Sequence, residues 1–388
     1  MKILYDHQIF ENQDYGGISR YHYDLYNGLK QRGENVDIAV SHSNNRWLAG
    51  SEDFGSIQTF YDPLDKFVTA YDFPFKRSLF KYWIMLTKKK SPSQKNKELV
   101  LRELSNGDYD IFHPTYYDPF FMNHLNRTKL VITVHDLIPE RFPEYFIGDP
   151  IQLSRRQIIE KADHIITVSN STRDELFKYY DVDRSKVSMI RHGLSDIARR
   201  EVSDSVLEDT TTSFLLYVGS RKNYKNFYFF ISAVAPVLKK SNLKVICVGA
   251  DFDEYECAFL DYLGLNSLIK SISVTDSELN SLYRNAQCLV FPSMDEGFGY
   301  PLIEAMAHGC PIICSDIQIF HEVLGDYPIY FHPKSRSSIR YALSEVLNEY
   351  QGNLDKGVQV NHSDYSLKTM IDNYINMYGR VYQFGAFS

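Results

Sequence analysis

Long uncharged hydrophobic runs are missing from this sequence, and so is the apolar core of an export signal. The chain opens MKILYDHQIF, with an aspartate and a histidine among its first ten residues. These absences lead to the expectation of a cytoplasmic chain that neither spans a membrane nor leaves by the signal-peptide route. Cysteine is sparse. The five present (Cys247, Cys257, Cys288, Cys310, Cys314) all fall in the second half, mostly inside apolar runs, with neither zinc-type spacing nor a plausible disulfide framework. The paired glycines Gly16 and Gly17 depart from G-x-G-x-x-G, so a dinucleotide cofactor is not indicated. An excess of positive charge is lacking too: the net charge is −7, which argues against nucleic acid as a partner.

What is there suffices for two ordinary hydrophobic cores: 388 residues, 44% of them hydrophobic. The first half begins with the apolar run KILYDHQIF and a loop holding Gly16-Gly17. A helical pattern, ISRYHYDLYNGLKQ, and a second strand, VDIAV, follow, which makes a βαβ unit. LVITV, HIITVS and KVSMI read as further strands, with helices around SRRQIIEKA and STRDELFKYY. After the polar, acidic stretch REVSDSVLEDTTTS, read as a linker, the pattern starts again with FLLYVG, a loop, the helix NFYFFISAVAPVLKK and the strand LKVICVG. Two doubly wound α/β domains in tandem are expected, facing each other across a crevice: residues 1–195 and 196–365. The final aromatic-rich helix, about 366–388, can pack on either.

The densest chemistry lies in EGFGYPLIEAMAHGCPIICSD, residues 296–316. QCLVFPS before it reads as a buried strand. Gly297 and Gly299 permit unusual backbone angles, Pro301 suits a first helical turn, LIEAMAH forms a short helix, and Gly309 ends it. Glu296 thus stands at the carboxyl end of a strand and Glu304 in the first turn of a helix, at the edge where open parallel sheets bind ligands and where a helix N-terminus favours phosphate. Carboxylates beside a phosphate would repel it unless they grip something uncharged, such as sugar hydroxyls. The competing reading makes both glutamates helix-dipole and capping charges.

This motif closely resembles the nucleotide-binding signature of glycosyltransferase family 4, two glutamates with seven residues between them. YVGSRKNYKN, HDLIPERFP, KADHIITVSNSTRDEL and YGGISRY resemble the family's other recurring segments in the expected order, whereas residues 42 to 110 match none. The resemblance implies a GT-B fold, a last helix that crosses back to the first domain, and transfer that retains anomeric configuration. It implies a nucleotide-sugar donor, GDP- or UDP-linked, no metal or other cofactor, and a glycan or lipid-linked glycan acceptor. By position it puts Glu304 on the ribose, Glu296 on the transferred sugar, and the backbone of Gly297, Phe298, Gly299 and Tyr300 along diphosphate and sugar. It puts Arg221 and Lys225 on the departing diphosphate, with Lys222 one slip away. His135, after the strand LVITV, would lie beside the donor sugar, and Gly16 and Gly17 would let the first domain approach the diphosphate or acceptor. A bacterial surface-polysaccharide or O-antigen role, with mannosyl transfer, follows from the same likeness. An epimerase or hydrolase of the same two-domain fold and a non-catalytic sugar-nucleotide binder are the rivals. The acidic pair in DFD, Asp251 and Asp253, reads as part of a polar loop rather than a metal site.

One segment stands apart. Residues 73–97, FPFKRSLFKYWIMLTKKKSPSQKNK, hold eight basic residues and no acidic one, whereas residues 1–195 as a whole balance 26 basic against 26 acidic. Phe75, Leu79, Tyr82, Trp83 and Leu86 recur at helical spacing. Either this is an interfacial helix that docks residues 75–97 on the anionic inner face of the plasma membrane, or it is an ordinary packing helix followed by a solvated lysine loop.

Overall fold

The computed structural model describes residues 1–61, 64, 67, 75–87, 90–149, 151–194, 213–349 and 365–385. The stretch read as a linker lies outside these residues except for Ser213, and so do the boundary at 195 and 196, Phe73, Pro74, Lys88 and Lys89.

Twelve strands are described, in two six-stranded, all-parallel sheets. The first holds β1 (Lys2–Tyr5), β2 (Asn35–Ile38), β3 (Ile111–His113), β4 (Lys129–Val134), β5 (His164–Thr167) and β6 (Val187–Met189), in the order β2-β1-β3-β4-β5-β6. The second holds β7 (Phe214–Val218), β8 (Lys244–Val248), β9 (Ile269–Ile272), β10 (Cys288–Phe291), β11 (Ile312–Ser315) and β12 (Ile329–Phe331), in the order β12-β11-β10-β7-β8-β9. Helices cover both faces, so the strands read as continuous apolar runs rather than alternating ones. All four residues of β10 and all four of β11 are buried. Four of the five cysteines are packed into this domain as small apolar side chains; only Cys257 is exposed.

The strand order places the ligand edge. In the second sheet the chain leaves β7 towards β8 on one side, while β10 lies on the other, so the loops after β7 and β10 diverge at a topological switch point. Those loops carry Arg221 and Lys225, and Glu296, respectively. In the first sheet the switch falls between β1 and β3. The loop after β1 carries Gly16-Gly17, and His135 follows β4 one strand further over.

The last helix, Leu367–Gly385, belongs to the first domain's core. Met370, Ile371, Tyr374, Met377, Tyr378 and Val381 form one stripe that packs with Tyr5, Tyr21 and Leu25. Burying each such side chain is worth about 1.5–3 kcal/mol. The same helix brings hydroxyls inside. Tyr378 shares a hydrogen bond with Tyr5 (2.6 Å) and another with His113 Nδ1 (2.6 Å), and Tyr374 meets the hydroxyls of Thr133 (3.1 Å) and Tyr21.

The helix Lys76–Thr87 forms within the basic segment, and its faces differ from the sequence reading. Phe75, Leu79, Tyr82 and Leu86 are exposed, at 80%, 51%, 58% and 63%. Trp83, grouped with them from spacing, turns inward and stacks on Phe80 while tilting against Phe67. Lys76 is buried.

Candidate active site

The glycine loop begins where β10 ends. Gly299 caps the helix Tyr300–Ala307 with φ +99°, a conformation that a side chain would strain. Gly297 is required for another reason: a Cβ there would lie 1.7 Å from the carbonyl oxygen of His135 in the facing domain. Its own carbonyl accepts a hydrogen bond from Ser169 Oγ (3.0 Å). The glycine loop and the end of β4 are therefore in direct backbone contact.

Each motif glutamate is held by one cation. Lys225 Nζ lies 2.6 Å from Glu296 Oε1, within the second domain. Arg20 Nη1 lies 2.5 Å from Glu304 Oε1, and it comes from the first domain, one turn into the helix Gly17–Gln31. The Tyr283 hydroxyl donates to Glu304 Oε2 at 2.9 Å. Asp24, next to Arg20 on the helix (3.6 Å), has its carboxyl pushed up to about 6 by burial.

Arg221 sits differently from its neighbour in sequence. Its Nε and Nη2 donate to the two carboxylate oxygens of Glu256 (2.8 and 3.0 Å), and Nη2 also reaches the carbonyls of Ala250 and Asp251. The pair is almost completely buried, at 5% and 2% exposure. Glu256 is in turn fixed by a capping box with Asp253 at the start of the helix Glu254–Tyr262. Asp253 thus serves as a helix cap, and Lys222 lies beside it at 3.7 Å. Among the described residues no group of three or more His, Cys, Asp or Glu side chains is arranged to hold a metal ion.

Around His135 the structure assembles side chains that no single motif contains. Tyr21 packs edge-on against His22 (4.9 Å between ring centroids) and His135 (5.0 Å), and tilted against His192 (4.6 Å). His192 then contacts the rings of Phe298 (4.7 Å) and Tyr300 (4.6 Å), and its Nδ1 lies 2.9 Å from the Tyr300 hydroxyl. Burial lowers the affinity of His135 for a proton to about 3, with the Arg155 charge adding to it; burial holds His22 and His192 well below the usual range as well. All three are neutral near pH 7. His135 Nε2 is buried and has no hydrogen-bond partner among the described residues. Gly17 faces Tyr300, a Cβ there lying 3.5 Å from its ring, and Gly16 abuts Gln13 of its own loop.

Further contacts close the two domains on one another. Arg141 Nη1 meets Asp295 (2.9 Å), Glu322 accepts from the backbone of Asn170 (2.7 Å) and Ser171 (2.9 Å), and the Tyr15 hydroxyl donates to Asp276 (2.8 Å). Arg20, Tyr283 and His192 escaped the sequence reading because their partners lie in other elements or across the cleft. For Arg20 a signal existed: a cation near the first turn of a helix opposes the helix dipole and calls for an outside anion.

Two family models match the chain: Glycosyltransferase Family 4 over residues 15–196 and Glycosyl transferases group 1 over residues 198–357, one for each sheet. Over 217 residues the chain is 33% identical to the O-antigen chain mannosyltransferase RfbU of Salmonella typhimurium strain LT2, a match spanning 55% of this chain and 60% of that relative's length. Sucrose-phosphate synthase from Thermosynechococcus elongatus superposes with a TM-score of 0.74 at 17% identity, over 99% of this chain and 100% of its own. Anabaena HepE in complex with UDP-glucose does so with a TM-score of 0.71 at 16% identity, over 98% and 100%. At such identities these structures speak for the fold, which is GT-B.

Proposed function

The chain belongs to the family 4 glycosyltransferases, and from that premise we propose that it moves a sugar, mannose by preference, from a GDP- or UDP-linked donor to a growing glycan of an O-antigen or related surface polysaccharide. The observation that carries this reading is the pair of cation-held carboxylates, Glu296 with Lys225 and Glu304 with Arg20, on either side of a glycine turn at a sheet switch point. A carboxylate suits a vicinal diol, so Glu304 takes the ribose and Glu296 the transferred sugar. The diphosphate then lies along the turn from Gly297 to Tyr300, near the N-terminus of a helix.

In the reaction, the bond from the anomeric carbon to the β-phosphate oxygen breaks and a bond to an acceptor hydroxyl oxygen forms, with retention of configuration. The hydroxyl proton passes to the departing diphosphate. Negative charge grows on that diphosphate, and Lys225 meets it as a preorganised cation. Arg221 acts at one remove: its two bonds to Glu256 fix the loop that carries Lys225. The unpartnered Nε2 of His135 supports a hydrogen bond from the first domain to a sugar hydroxyl. No metal takes part in this reading.

The relative's name places it in O-antigen synthesis, and a lipid-linked acceptor fits the exposed row Phe75, Leu79, Tyr82 and Leu86 in a segment rich in lysine. This face rests on the anionic inner surface of the plasma membrane. No described helix is long and apolar enough to cross it. The test is a thermal-shift screen of GDP- and UDP-sugars, because a donor that binds the folded state must raise its melting temperature. A GDP-sugar should give the largest shift; no shift with any of them would remove the donor assignment.

A further inference from the structure

Two cations stand on the donor-motif carboxylates, and they come from different domains. Lys225 is on Glu296, at the end assigned to the sugar; Arg20 is on Glu304, at the end assigned to the ribose. A third, Arg221, is engaged elsewhere, bidentate on Glu256 and nearly inaccessible. Charge matching for the ribose side of a diphosphate must therefore come from a residue other than Arg221.

We propose that Arg20 is a donor-binding residue supplied by the facing domain, its guanidinium held by Glu304 beside the ribose so that its remaining N–H groups meet the nucleotide diphosphate. Its Nη1 donates to Glu304, and its Nε faces the Asp24 carboxylate at 3.6 Å. Arginine carries five N–H donors in a planar fork, and with one on Glu304 and Nε turned to Asp24, three are left for phosphate oxygens. Each Glu304 oxygen accepts one hydrogen bond, from Arg20 or from Tyr283. A carboxylate oxygen has a second acceptor direction, so both can also take the ribose diol with Arg20 in place. The ribose ring separates its diol from its 5′-phosphate by only a few ångströms, within reach of a guanidinium already on the carboxylate.

The side chain is built in rather than loosely laid across the gap. It is 12% exposed, Asp24 backs it from the next turn of its own helix, and the rings of Trp47 and Tyr300 lie 5.5 and 5.9 Å from its central carbon. Trp47 is stacked in turn on Tyr15, whose hydroxyl crosses the cleft to Asp276. Arg20 is thus presented to the second domain by an aromatic wall of the first. A diphosphate bound to both Lys225 and Arg20 spans the two domains, which makes donor binding itself a force for closing the cleft.

This inference rests on the reading of Glu304 as the ribose site, and the experiment separates the two. Dissociation constants are measured for GDP and UDP by calorimetry, and for guanosine and uridine by ligand-observed NMR, with wild type, Arg20→Ala and Arg20→Lys. Arg20→Ala should weaken the better-bound diphosphate at least tenfold and the matching nucleoside less than threefold, and Arg20→Lys should recover part of the loss. An equal loss for diphosphate and nucleoside would overturn the proposal and leave Arg20 as a support for Glu304. Tighter diphosphate binding by Arg20→Ala would overturn it as well, making the ion pair a latch that the donor must break. If wild type binds neither GDP nor UDP, the nucleotide reading of the site fails first. Should Arg20→Ala not fold, Arg20→Gln carries the same comparison.

Discussion

Arg221 and Lys225, four residues apart in one loop, hold opposite stations: the first is locked on Glu256 in the domain interior, the second reaches Glu296 at the cleft. Their substitutions should therefore separate. Arg221→Ala leaves Glu256 buried without its partner and should cost about 3–5 kcal/mol of stability, seen as a melting temperature lower by several degrees. Lys225→Ala should melt close to wild type but turn over about 10²–10³-fold more slowly, the usual consequence of losing one preorganised charge stabiliser. A slow but fully stable Arg221→Ala enzyme would return Arg221 to the diphosphate. Because these cations are side chains, transfer should persist in EDTA; a complete loss restored by magnesium would contradict the metal-free reading.

The two glutamates should part in the same way. If Glu304 holds the ribose as proposed, Glu304→Ala should weaken donor binding by about 1.5–3 kcal/mol, tenfold or more. Glu296→Ala should bind the donor nearly as well and lower kcat. Calorimetry beside initial rates decides it, and unchanged donor affinity in Glu304→Ala would remove the ribose contact.

Acid should act through the buried histidines. His113, bonded to Tyr378 and Thr133, has its proton affinity lowered to about 3, chiefly by burial. The unfolded chain takes up this proton below about pH 6.5, and the folded chain does not until about pH 3. The stabilisation is therefore complete above 6.5 and lost as pH falls through that window, by about 1.4 kcal/mol per pH unit. His113→Gln lacks the titration, so its denaturation midpoint should depend less on pH than that of wild type between 6.5 and 4. Parallel curves would show that His113 is not held neutral. Asp6 acts with the opposite sign: its carboxyl, raised to about 6 by burial, favours the folded state as pH falls from there towards 4.

Vesicle binding tests the exposed face of the helix Lys76–Thr87. Sedimentation with anionic vesicles should fall as salt rises and fall further for Leu79→Ser with Leu86→Ser, or when Lys88, Lys89 and Lys90 become glutamine. Trp83→Phe should bind like wild type, because that ring already packs against Phe67 and Phe80. Indifference of wild type to such vesicles at low salt would end the membrane reading.

Much of this fold was legible because parallel strands buried on both faces leave unbroken apolar runs, as in LVITV, HIITVS and FLLYVG. β3 and β12, Ile111–His113 and Ile329–Phe331, went unread; each is three residues long. β9, Ile269–Ile272, gives a weak signal because Lys270 and Ser271 interrupt its apolar character. At the site, spacing singled out Glu296 and Glu304 and the family resemblance singled out the basic loop, but neither could say which cation meets which carboxylate. Glu256 lies 35 residues beyond Arg221, and Arg20 lies 284 before Glu304. Such pairs are set by how two sheets face each other, which local periodicity does not encode.

The central claim, donor-dependent transfer at the glycine turn, is tested most directly by nucleoside diphosphate release from GDP-mannose and UDP-sugars, with and without a lipid-linked glycan acceptor. Release by wild type should require the acceptor, yield an extended glycan, and drop at least a hundredfold in Lys225→Ala. Release at the same rate without acceptor, or no release from any donor while the acceptor is present, would contradict the account.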